Sequence, residues 1–218
     1  MPGFIIAIDG PAASGKGTVS SGLGKLYGYP VLDTGLLYRA VGMATKRAGG
    51  DLDNAADATA AAEALNADTL DEAALRTGEA GEAASHVAVH DGVRRALRSV
   101  QHRFAAREPG AILDGRDIGT VIVPHAPAKL FVTAAPAIRA HRRWLQLSAI
   151  DPSVTLDAVL ADIHDRDARD SGRAASPLVR ADDAVLLDTS EMTIEQAADA
   201  ARRIVEAARG RWEQSRKG

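Results

Sequence analysis

Cysteine is absent from this 218-residue sequence. Its absence excludes disulfides, thiolate zinc sites, iron–sulfur clusters and cysteine nucleophiles, and it fits a reducing compartment. Long hydrophobic runs are also missing. The N-terminal apolar run from Phe4 to Ile8 is too short for a signal peptide or a membrane span. No other stretch approaches the ~18 uncharged apolar residues that a spanning helix needs. We therefore expect a cytoplasmic protein with no membrane partner.

An excess of basic charge is missing as well. The formal net charge is −3 and the isoelectric point is about 6.1, which argues against a nucleic-acid partner. The 26 basic residues are divided unevenly, with 21 arginines and 5 lysines. A high-GC genome produces such a bias without a functional reason. The alternative is that many of the arginines bind phosphate, because the guanidinium group matches phosphate oxygens in a bidentate way.

Short apolar runs alternate with longer amphipathic stretches, which is typical of βα units around a parallel sheet. The predicted strands are Phe4–Asp9, Pro30–Asp33, Ala111–Asp114, Lys129–Thr133 and Ala184–Asp188. Helices are predicted over 15–27, 35–47, 59–66, 92–107, 137–147, 156–170 and 193–209, and Asp188-Thr189-Ser190 is expected to cap the last one. We predict an α/β fold in one domain over residues 1–218.

Two stretches interrupt this rhythm. Residues 49–82 are rich in Ala, Asp and Glu, which predicts a small peripheral insert or a surface loop rather than a central strand. Residues 139–173 hold six arginines and six aspartates. This composition suits either a solvated helical hairpin with i,i+4 ion pairs or a mobile lid that carries positive charge.

The strongest motif is GPAASGKGT, which directly follows the first predicted strand and opens a helix. It matches the phosphate-binding loop G-x-x-x-x-G-K. The backbone N–H groups of such a loop and the helix N-terminus surround phosphate oxygens, and Lys16 adds a point charge. The usual hydroxyl residue after the lysine is replaced by Gly17, so Thr18 is the remaining candidate for a magnesium ligand. The predicted phosphate-binding residues are Gly10, Pro11, Ala12, Ala13, Ser14, Gly15, Lys16, Gly17 and Thr18.

A second motif, LDTGLLYRA, follows the second predicted strand. Asp33 and Thr34 come before a helix that carries Arg39 in its first turns. An anionic acceptor beside the phosphate loop would need such an arginine, although a helix cap with a surface arginine explains the same residues.

A third motif, LDGRDIGTVI, begins where Asp114 ends an apolar strand. Asp114 resembles the second carboxylate of phosphate-loop proteins, which organises magnesium through water. Arg116 and Asp117 stand together just after it.

The lid candidate carries two sets of arginines at helical spacing, one of Arg139, Arg142 and Arg143 and one of Arg166, Arg169 and Arg173. Facing each other, the two sets would bring positive charge to the transferring phosphoryl group. The predicted catalytic residues are Lys16, Arg116, Arg142, Arg143 and Arg166. The six histidines show no pattern of metal ligands and are interpreted as surface residues.

Six segments together resemble bacterial cytidylate kinases, in order and at compatible spacings: GPAASGKGT, LDTGLLYRA, ASHVA, LDGRDIGTVI, RDARDSGRAASPL and AVLLDTSEMT. The resemblance implies a three-layer P-loop NTPase fold with a five-stranded parallel sheet, an NMP-binding region over about 35–95 and a lid over about 139–173. It implies transfer of the γ-phosphoryl group of ATP to CMP or dCMP with Mg²⁺, by a monomer. The insert of this family usually contains several short β-strands, for which residues 49–82 are few.

The resemblance also assigns the acceptor site. The residues expected at the phosphate and sugar are Asp33, Thr34, Arg39, Arg116, Arg166, Asp170 and Arg173, and those expected at the cytosine are Ser85, Arg94 and Asp117. The cytosine amine is a donor, whereas its O2 and N3 are acceptors, so a carboxylate with an arginine is the complementary pair. UMP is expected to be a poor substrate, because its O4 would meet the Asp117 carboxylate acceptor to acceptor.

Two alternatives stay open at this point. A small P-loop kinase for another nucleotide or for a small alcohol would share the phosphate loop. A nucleotide-dependent switch would share it too, but the sequence contains neither the N-K-x-D motif of GTPases nor an L-S-G-G-Q-like signature.

Overall fold

The computed structural model describes residues 3–216. The predicted domain limits at residues 1 and 218, and the first two residues of the N-terminal segment, lie outside this range. Five parallel strands form one sheet in the order β2-β3-β1-β4-β5. They are β1 Phe4–Asp9, β2 Val31–Asp33, β3 Gly110–Gly115, β4 Ala128–Thr133 and β5 Val185–Asp188. The five predicted strands and their parallel arrangement are confirmed.

Helices cover both faces of the sheet. Their bounds are α1 Lys16–Tyr27, α2 Thr34–Arg47, α3 Ala55–Glu63, α4 Glu72–Leu75, α5 Gly78–Val87, α6 Asp91–Ala105, α7 Pro136–Ser148, α8 Leu156–Gly172 and α9 Ile194–Ser215. A short 3₁₀ helix spans Ala67–Thr69, and a π-helical turn spans Ile118–Ile122. No helix among residues 3–216 is long and apolar enough to cross a membrane.

The central strand β1 shows why the sheet is buried on both faces. Phe4, Ile6 and Ile8 pack with α1 and α9 in one apolar cluster, whereas Ala7 packs with the α6 side in another. Successive side chains of a strand point to opposite faces. An almost continuous apolar run is therefore what a central parallel strand requires.

The carboxyl ends of the strands meet at one edge, where open α/β sheets bind ligands. Asp33 of β2 lies in register with Asp114 of β3, and Asp9 of β1 lies in register with Gly115. At the far side, Thr133 of β4 lies in register with Asp188 of β5. The three sequence motifs thus reach one edge because the strands that precede them are neighbours.

The structure corrects the predicted cap of the last helix and decides between the two alternatives for the insert. The last helix is capped by Thr193, whose side chain accepts from Gln196 N in a capping box, and not by Asp188-Thr189-Ser190. Of the two alternatives for residues 49–82, the structure shows a small helical insert and not a loop: it holds α3, the 3₁₀ helix, α4 and the start of α5, and α3 overlaps the helix predicted over 59–66. No strand lies in this segment. Alanine favours helix, and the short helices of the insert are capped by Asn54, Asn66, Asp71 and Thr77.

Candidate active site

The phosphate loop connects β1 to α1 and requires glycine at its ends. A Cβ on Gly10 would lie 1.9 Å from the Val132 carbonyl oxygen, and Gly15, with a φ of 92°, caps α1 in the left-handed region. Only glycine adopts such backbone conformations at low cost. The loop therefore takes the strand–loop–helix arrangement in which N–H groups and a helix N-terminus can receive an anion.

Lys16 and Asp114 face each other beneath this loop. The Lys16 Nζ donates to the Pro11 carbonyl at 2.9 Å and lies 3.9 Å from Asp114 Oδ1, while Ser20 Oγ donates to Asp114 Oδ2 at 3.3 Å. Burial, followed by repulsion from Arg116, lowers the pKa of Lys16 to about 8. Burial raises the pKa of Asp114 to about 6, in spite of the nearby lysine. Neither the Lys16 ammonium nor the Asp114 carboxylate is therefore fully compensated by nearby opposite charge.

A cavity of about 1040 Å³ opens above the loop. Its lining includes Ala12 to Thr18 of the loop, Asp33, Arg39, Asp114 and Arg116 from the strand ends and α2, and Arg142, Arg143, Arg166 and Arg169 from α7 and α8. Gly10, Pro11, Thr34, Ser85, Arg94, Asp117, Asp170 and Arg173 are predicted site residues that do not line it. The structure therefore gathers most of the predicted phosphate-binding residues around one cavity, whereas the predicted base contacts are outside its lining.

Four arginines of the cavity repel one another. Burial lowers the pKa of Arg39, Arg143 and Arg166, and repulsion from a neighbouring arginine adds to the effect for Arg39 and Arg166. The Arg166 Nε is buried without a hydrogen-bond partner among the described residues. A guanidinium group with a buried, unpaired donor destabilises the fold unless an anion accepts a hydrogen bond from it. The cluster of Arg39, Arg116, Arg143 and Arg166 is called the arginine cluster below.

Arg116 differs from the other members because it has a carboxylate partner. Its Nε donates to Asp170 Oδ2 at 2.8 Å. Burial alone would lower the pKa of Arg116, but Asp170 raises it, and Arg116 with Arg166 and Arg173 holds the pKa of Asp170 below its usual value. In the described part of the chain, the buried Arg173 Nη2 has no hydrogen bond, although it lies 3.7 Å from Asp170 Oδ1. Arg116, Asp170 and Arg173 thus form one connected group.

The predicted base contacts form a closed cluster. Arg94 Nη2 donates to Asp117 Oδ2, and both side chains are buried. Arg94 also lies over the ring of the buried Tyr38, 5.7 Å from its centroid. The hydroxyl of Ser85 accepts from Arg169 Nε at 3.0 Å. In this conformation Arg94 and Asp117 are therefore bonded to each other, and Ser85 is bonded to α8.

The three arginines of the first lid set do not all point to the cavity. Arg139 is buried, donates from Nε to the Ala134 carbonyl at 2.8 Å and from Nη1 to the Ala12 carbonyl at 3.2 Å, and pairs with Asp167 at 2.5 Å. The expected row of three phosphate-facing guanidinium groups is therefore wrong for Arg139. Its donors connect α7 and α8 to the phosphate loop.

Arg142 is held in a similar way. Its Nη1 and Nη2 donate to the hydroxyl and the carbonyl of Thr189 at 2.9 and 2.7 Å. The Thr189 hydroxyl donates in turn to the Ser14 carbonyl of the phosphate loop at 3.0 Å. Arg143, whose Nη1 donates to Gln146 at 3.3 Å, is the member of this row that remains available to a ligand at the arginine cluster.

The motif after β2 supplies both structural and cavity groups. Asp33 accepts from Gly35 N at 3.0 Å and caps α2, and Thr34 donates to the Asp114 carbonyl at 2.8 Å. Arg39 donates to the Leu75 and Thr77 carbonyls at 2.9 and 3.1 Å. A Cβ on Gly81 of α5 would lie 3.5 Å from both Arg39 Nη2 and Arg166 Nη1. Helix α5 therefore backs the arginine cluster.

Sequence reasoning missed several residues of the site. Thr189 is predicted as part of a helix cap, although its buried hydroxyl joins the phosphate loop to Arg142. The neighbouring Ser14 is itself a predicted loop residue, and its Oγ is buried without a hydrogen-bond partner in the described part of the chain. Ser20 is not singled out by any motif, although its position one helical turn after Lys16 on the buried face of α1 could have indicated it.

The metal candidates are oxygen groups at one side of the loop. Among residues 3–216 no group of three or more His, Cys, Asp or Glu side chains could hold a metal ion. Asp114 is the buried carboxylate beside Lys16, and Thr18 is an exposed residue that lines the cavity. Its unmatched negative charge makes Asp114 suitable for a hydrated Mg²⁺ that also takes oxygens from phosphate, the ligands this ion prefers.

Comparisons with known proteins agree with this geometry. A family model described as cytidylate kinase matches residues 6–207. A cytidylate kinase of Caulobacter vibrioides (strain NA1000 / CB15N) is 66% identical over 209 residues, which cover 96% of this chain and 98% of the relative. A cytidylate kinase of Azorhizobium caulinodans is 61% identical over 207 residues, covering 95% of this chain and 100% of the relative.

Solved structures resemble the fold at low identity. An uncharacterized protein from Eubacterium ventriosum ATCC 27560 has a TM-score of 0.56 at 12% identity, over 93% of this chain and 98% of that one. A gluconokinase from Sinorhizobium meliloti 1021 has a TM-score of 0.51 at 16% identity, over 98% of both chains. These similarities support the three-layer α/β architecture alone.

Proposed function

The chain belongs to the cytidylate kinase family, and we propose that the residues gathered at the sheet edge carry out the reaction of this family. The reaction transfers the γ-phosphoryl group of ATP to CMP or dCMP and gives ADP and CDP or dCDP. The observation that carries the proposed site is the half-buried arginine cluster beside the phosphate loop, in which the buried Nε of Arg166 has no partner among residues 3–216. Such a cluster is suited to bind two anions, the phosphates of the donor nucleotide and the phosphate of the acceptor.

The donor side is the phosphate loop from Gly10 to Thr18. Its backbone N–H groups and the start of α1 receive the phosphates of ATP, and Lys16 places its ammonium on them. Burial lowers the pKa of Lys16 to about 8 in the absence of phosphate, and phosphate oxygens favour its charged form. Arg139 and Thr189 keep the loop in shape through the Ala12 and Ser14 carbonyls.

Asp114 is proposed to hold Mg²⁺ through water, with Thr18 as a further oxygen. When bound, the ion neutralises charge on the phosphates. Asp114 has the required chemistry because its carboxylate is buried and only partly balanced, as its raised pKa indicates.

The acceptor phosphate is proposed to bind among Arg39, Arg116 and Arg166, with Asp170 and Arg173 at the sugar. Arg143 and Arg166 then lie where charge builds up on the equatorial oxygens during transfer. Because phosphoryl transfer has a loose transition state, positioning and charge stabilisation suffice. We expect direct in-line transfer with neither a phosphoenzyme nor a required general base.

The base is proposed to be read by Ser85, Arg94 and Asp117. The Asp117 carboxylate accepts from the cytosine amine, and Arg94 donates to the O2 and N3 acceptors of the base. CMP binding then has to displace Arg169 from Ser85 and loosen the direct contact of Arg94 with Asp117. Uracil presents an acceptor to Asp117 and is therefore disfavoured.

The proposed organisation is a single kinase domain. Residues of about 35–95, including the helical insert over 49–82, form the NMP-binding region, and residues of about 139–173 form the lid. A monomeric state, a cytoplasmic location and the absence of a nucleic-acid partner stay predictions from the sequence.

A substrate panel tests the function. ADP formation is measured with ATP and Mg²⁺ and, in turn, CMP, dCMP, UMP, AMP and dTMP, with Lys16→Ala as the control for contaminating kinases. We expect CMP or dCMP to give the highest rate and UMP a much lower one. A best rate with another nucleotide or with a small alcohol would favour a different P-loop kinase. Slow hydrolysis without any phosphorylated acceptor would favour a nucleotide switch.

A further inference from the structure

We propose that Asp9 is a positioning residue for the base-reading loop Arg116–Asp117. Asp9 ends β1 and is 5% exposed. Its Oδ1 accepts from Ile118 N and its Oδ2 from Gly119 N, each at 2.7 Å. Asp9 belongs neither to the phosphate loop nor to the predicted acceptor contacts, although it directly precedes Gly10.

The two hydrogen bonds require a carboxylate. Each Asp9 oxygen receives one backbone N–H, so the pair has two acceptors for two donors. An asparagine offers one acceptor oxygen, and its NH₂ group would meet the second N–H donor to donor. An apolar residue would leave both N–H groups buried without a partner, which is costly.

The hydrogen-bonded segment begins immediately after Asp117. Asp117 has φ and ψ of −141° and 24°, and its carbonyl accepts from Val121 N at 2.8 Å and Ile122 N at 3.1 Å in the π-helical turn. Asp9 therefore binds the N–H groups of the first two residues of the π-helical turn. Because Asp117 directly precedes this turn, these hydrogen bonds fix the orientation of Asp117. The side chain of Asp117 meets Arg94 from the other side.

The surroundings of Asp9 make it an unfavourable place for a charge. The pKa of Asp9 is raised to about 6, because burial and the nearby Asp117 raise it more than the two N–H groups and Lys16 lower it. A Cβ on Gly119 would lie 3.3 Å from Asp9 Oδ2 and 3.1 Å from Lys129 Cδ. The glycine thus allows the close approach on which the second hydrogen bond depends.

Asp9→Asn is the direct test. We expect KM for CMP to rise about tenfold, which equals 1.4 kcal/mol, with a smaller ratio of kcat/KM for CMP over UMP. KM for ATP should change less than about twofold under the same conversion. Hydrogen exchange of the Ile118 and Gly119 amides should become faster in the variant. Asp199→Asn, the same change at an exposed position of α9, is the matched control and should alter none of these values.

Gly119→Ala perturbs the same hydrogen bond at its donor residue, and it replaces Asp9→Asn in the test if that variant does not fold. It should raise KM for CMP with little change in KM for ATP, and it should speed hydrogen exchange of the backbone amides at positions 118 and 119. Equal changes in KM for CMP and ATP in both variants, or unchanged amide exchange, would overturn the proposal.

The effect on specificity rests on the proposed role of Asp117, and a double variant separates the two. If Asp117 reads the base, Asp117→Asn lowers the CMP/UMP ratio, and adding Asp9→Asn lowers it no further. An unchanged ratio in Asp117→Asn contradicts the role of Asp117, while the exchange measurement still decides the role of Asp9. A ratio that falls with Asp117→Asn but not with Asp9→Asn overturns the positioning role alone.

Discussion

Arg139 and Arg166 lie on the two helices of the lid and have opposite surroundings. Every nitrogen of Arg139 donates to the protein, to Ala134, Ala12 or Asp167. Arg166 lines the cavity, its Nε has no partner among the described residues, and burial with Arg116 lowers its pKa. The buried Arg139, whose donors are all bonded within the chain, thus stabilises the fold, whereas the half-buried Arg166, whose Nε is unpaired, is suited to bind an anion.

The largest expected effect comes from the incomplete arginine. Arg166→Met should lower kcat for CMP about a thousandfold, because a phosphoryl-transfer arginine contributes ~10³–10⁵ in rate. The melting temperature should be unchanged or higher, since a guanidinium group with a buried, unpaired Nε is removed. Steady-state kinetics and thermal unfolding measure the two quantities. Arg202→Met, the same change at an exposed ion pair of α9, is the control, and a loss of stability without a loss of kcat would reverse the comparison.

The completed arginine should respond in the opposite way. Arg139→Met should lower the free energy of unfolding by about 3 kcal/mol, because it breaks a buried pair and leaves two carbonyls without donors. A change of this size lowers the melting temperature by roughly 6–12 °C in a chain of this length. Thermal unfolding measures it, and kcat of the folded fraction should fall far less than in Arg166→Met. An unchanged melting temperature with lost kcat would place Arg139 among the groups that act on phosphate.

A smaller effect is expected at the predicted base contacts, where Arg94 and Asp117 form an ion pair, as Arg139 and Asp167 do. Asp117→Asn should lower the ratio of kcat/KM for CMP over UMP about tenfold or more, since the amide NH₂ can donate to the uracil O4. Initial rates with the two nucleotides give the ratio. If the ratio stays unchanged, Asp117 contributes only to the structure, like Arg139.

The smallest effect concerns the pH dependence of ATP binding. Burial lowers the pKa of Lys16 to about 8 without phosphate, and bound phosphates favour the charged ammonium. Binding therefore takes up a proton above pH 8, and ATP affinity should fall about threefold between about pH 7.5 and about pH 8.5. Calorimetry in two buffers of different ionisation enthalpy measures the uptake. Lys16→Met should abolish it, and a wild-type titration without uptake at the higher pH would show that Lys16 is already charged.

The sheet edge and the phosphate loop could be predicted from the sequence, because apolar runs locate strands and GPAASGKGT has one well-defined backbone geometry. The different fates of Arg139 and Arg166 could not. Both lie at helical spacing beside aspartates, and spacing does not reveal whether a guanidinium group meets carbonyls or a cavity. The role of Thr189 escapes prediction for the same reason, since its partners come from β4 and the phosphate loop, far away in the chain.

Helix α5 escapes prediction because its glycines and small residues lack an apolar stripe of large side chains. Its Gly81 lies against Arg39 and Arg166, a contact between separate segments that no local pattern reports. The position of Ser85 on this helix, and its contact with Arg169, likewise depend on how the insert packs against α8.

The most direct test follows one reaction of the wild-type protein with ATP, Mg²⁺ and CMP by ³¹P NMR. We predict that CDP and ADP appear at equal rates while inorganic phosphate stays at background. Release of inorganic phosphate with CMP unchanged would contradict the proposed transfer, because the arginine cluster would then not bring an acceptor phosphate to the transferred group.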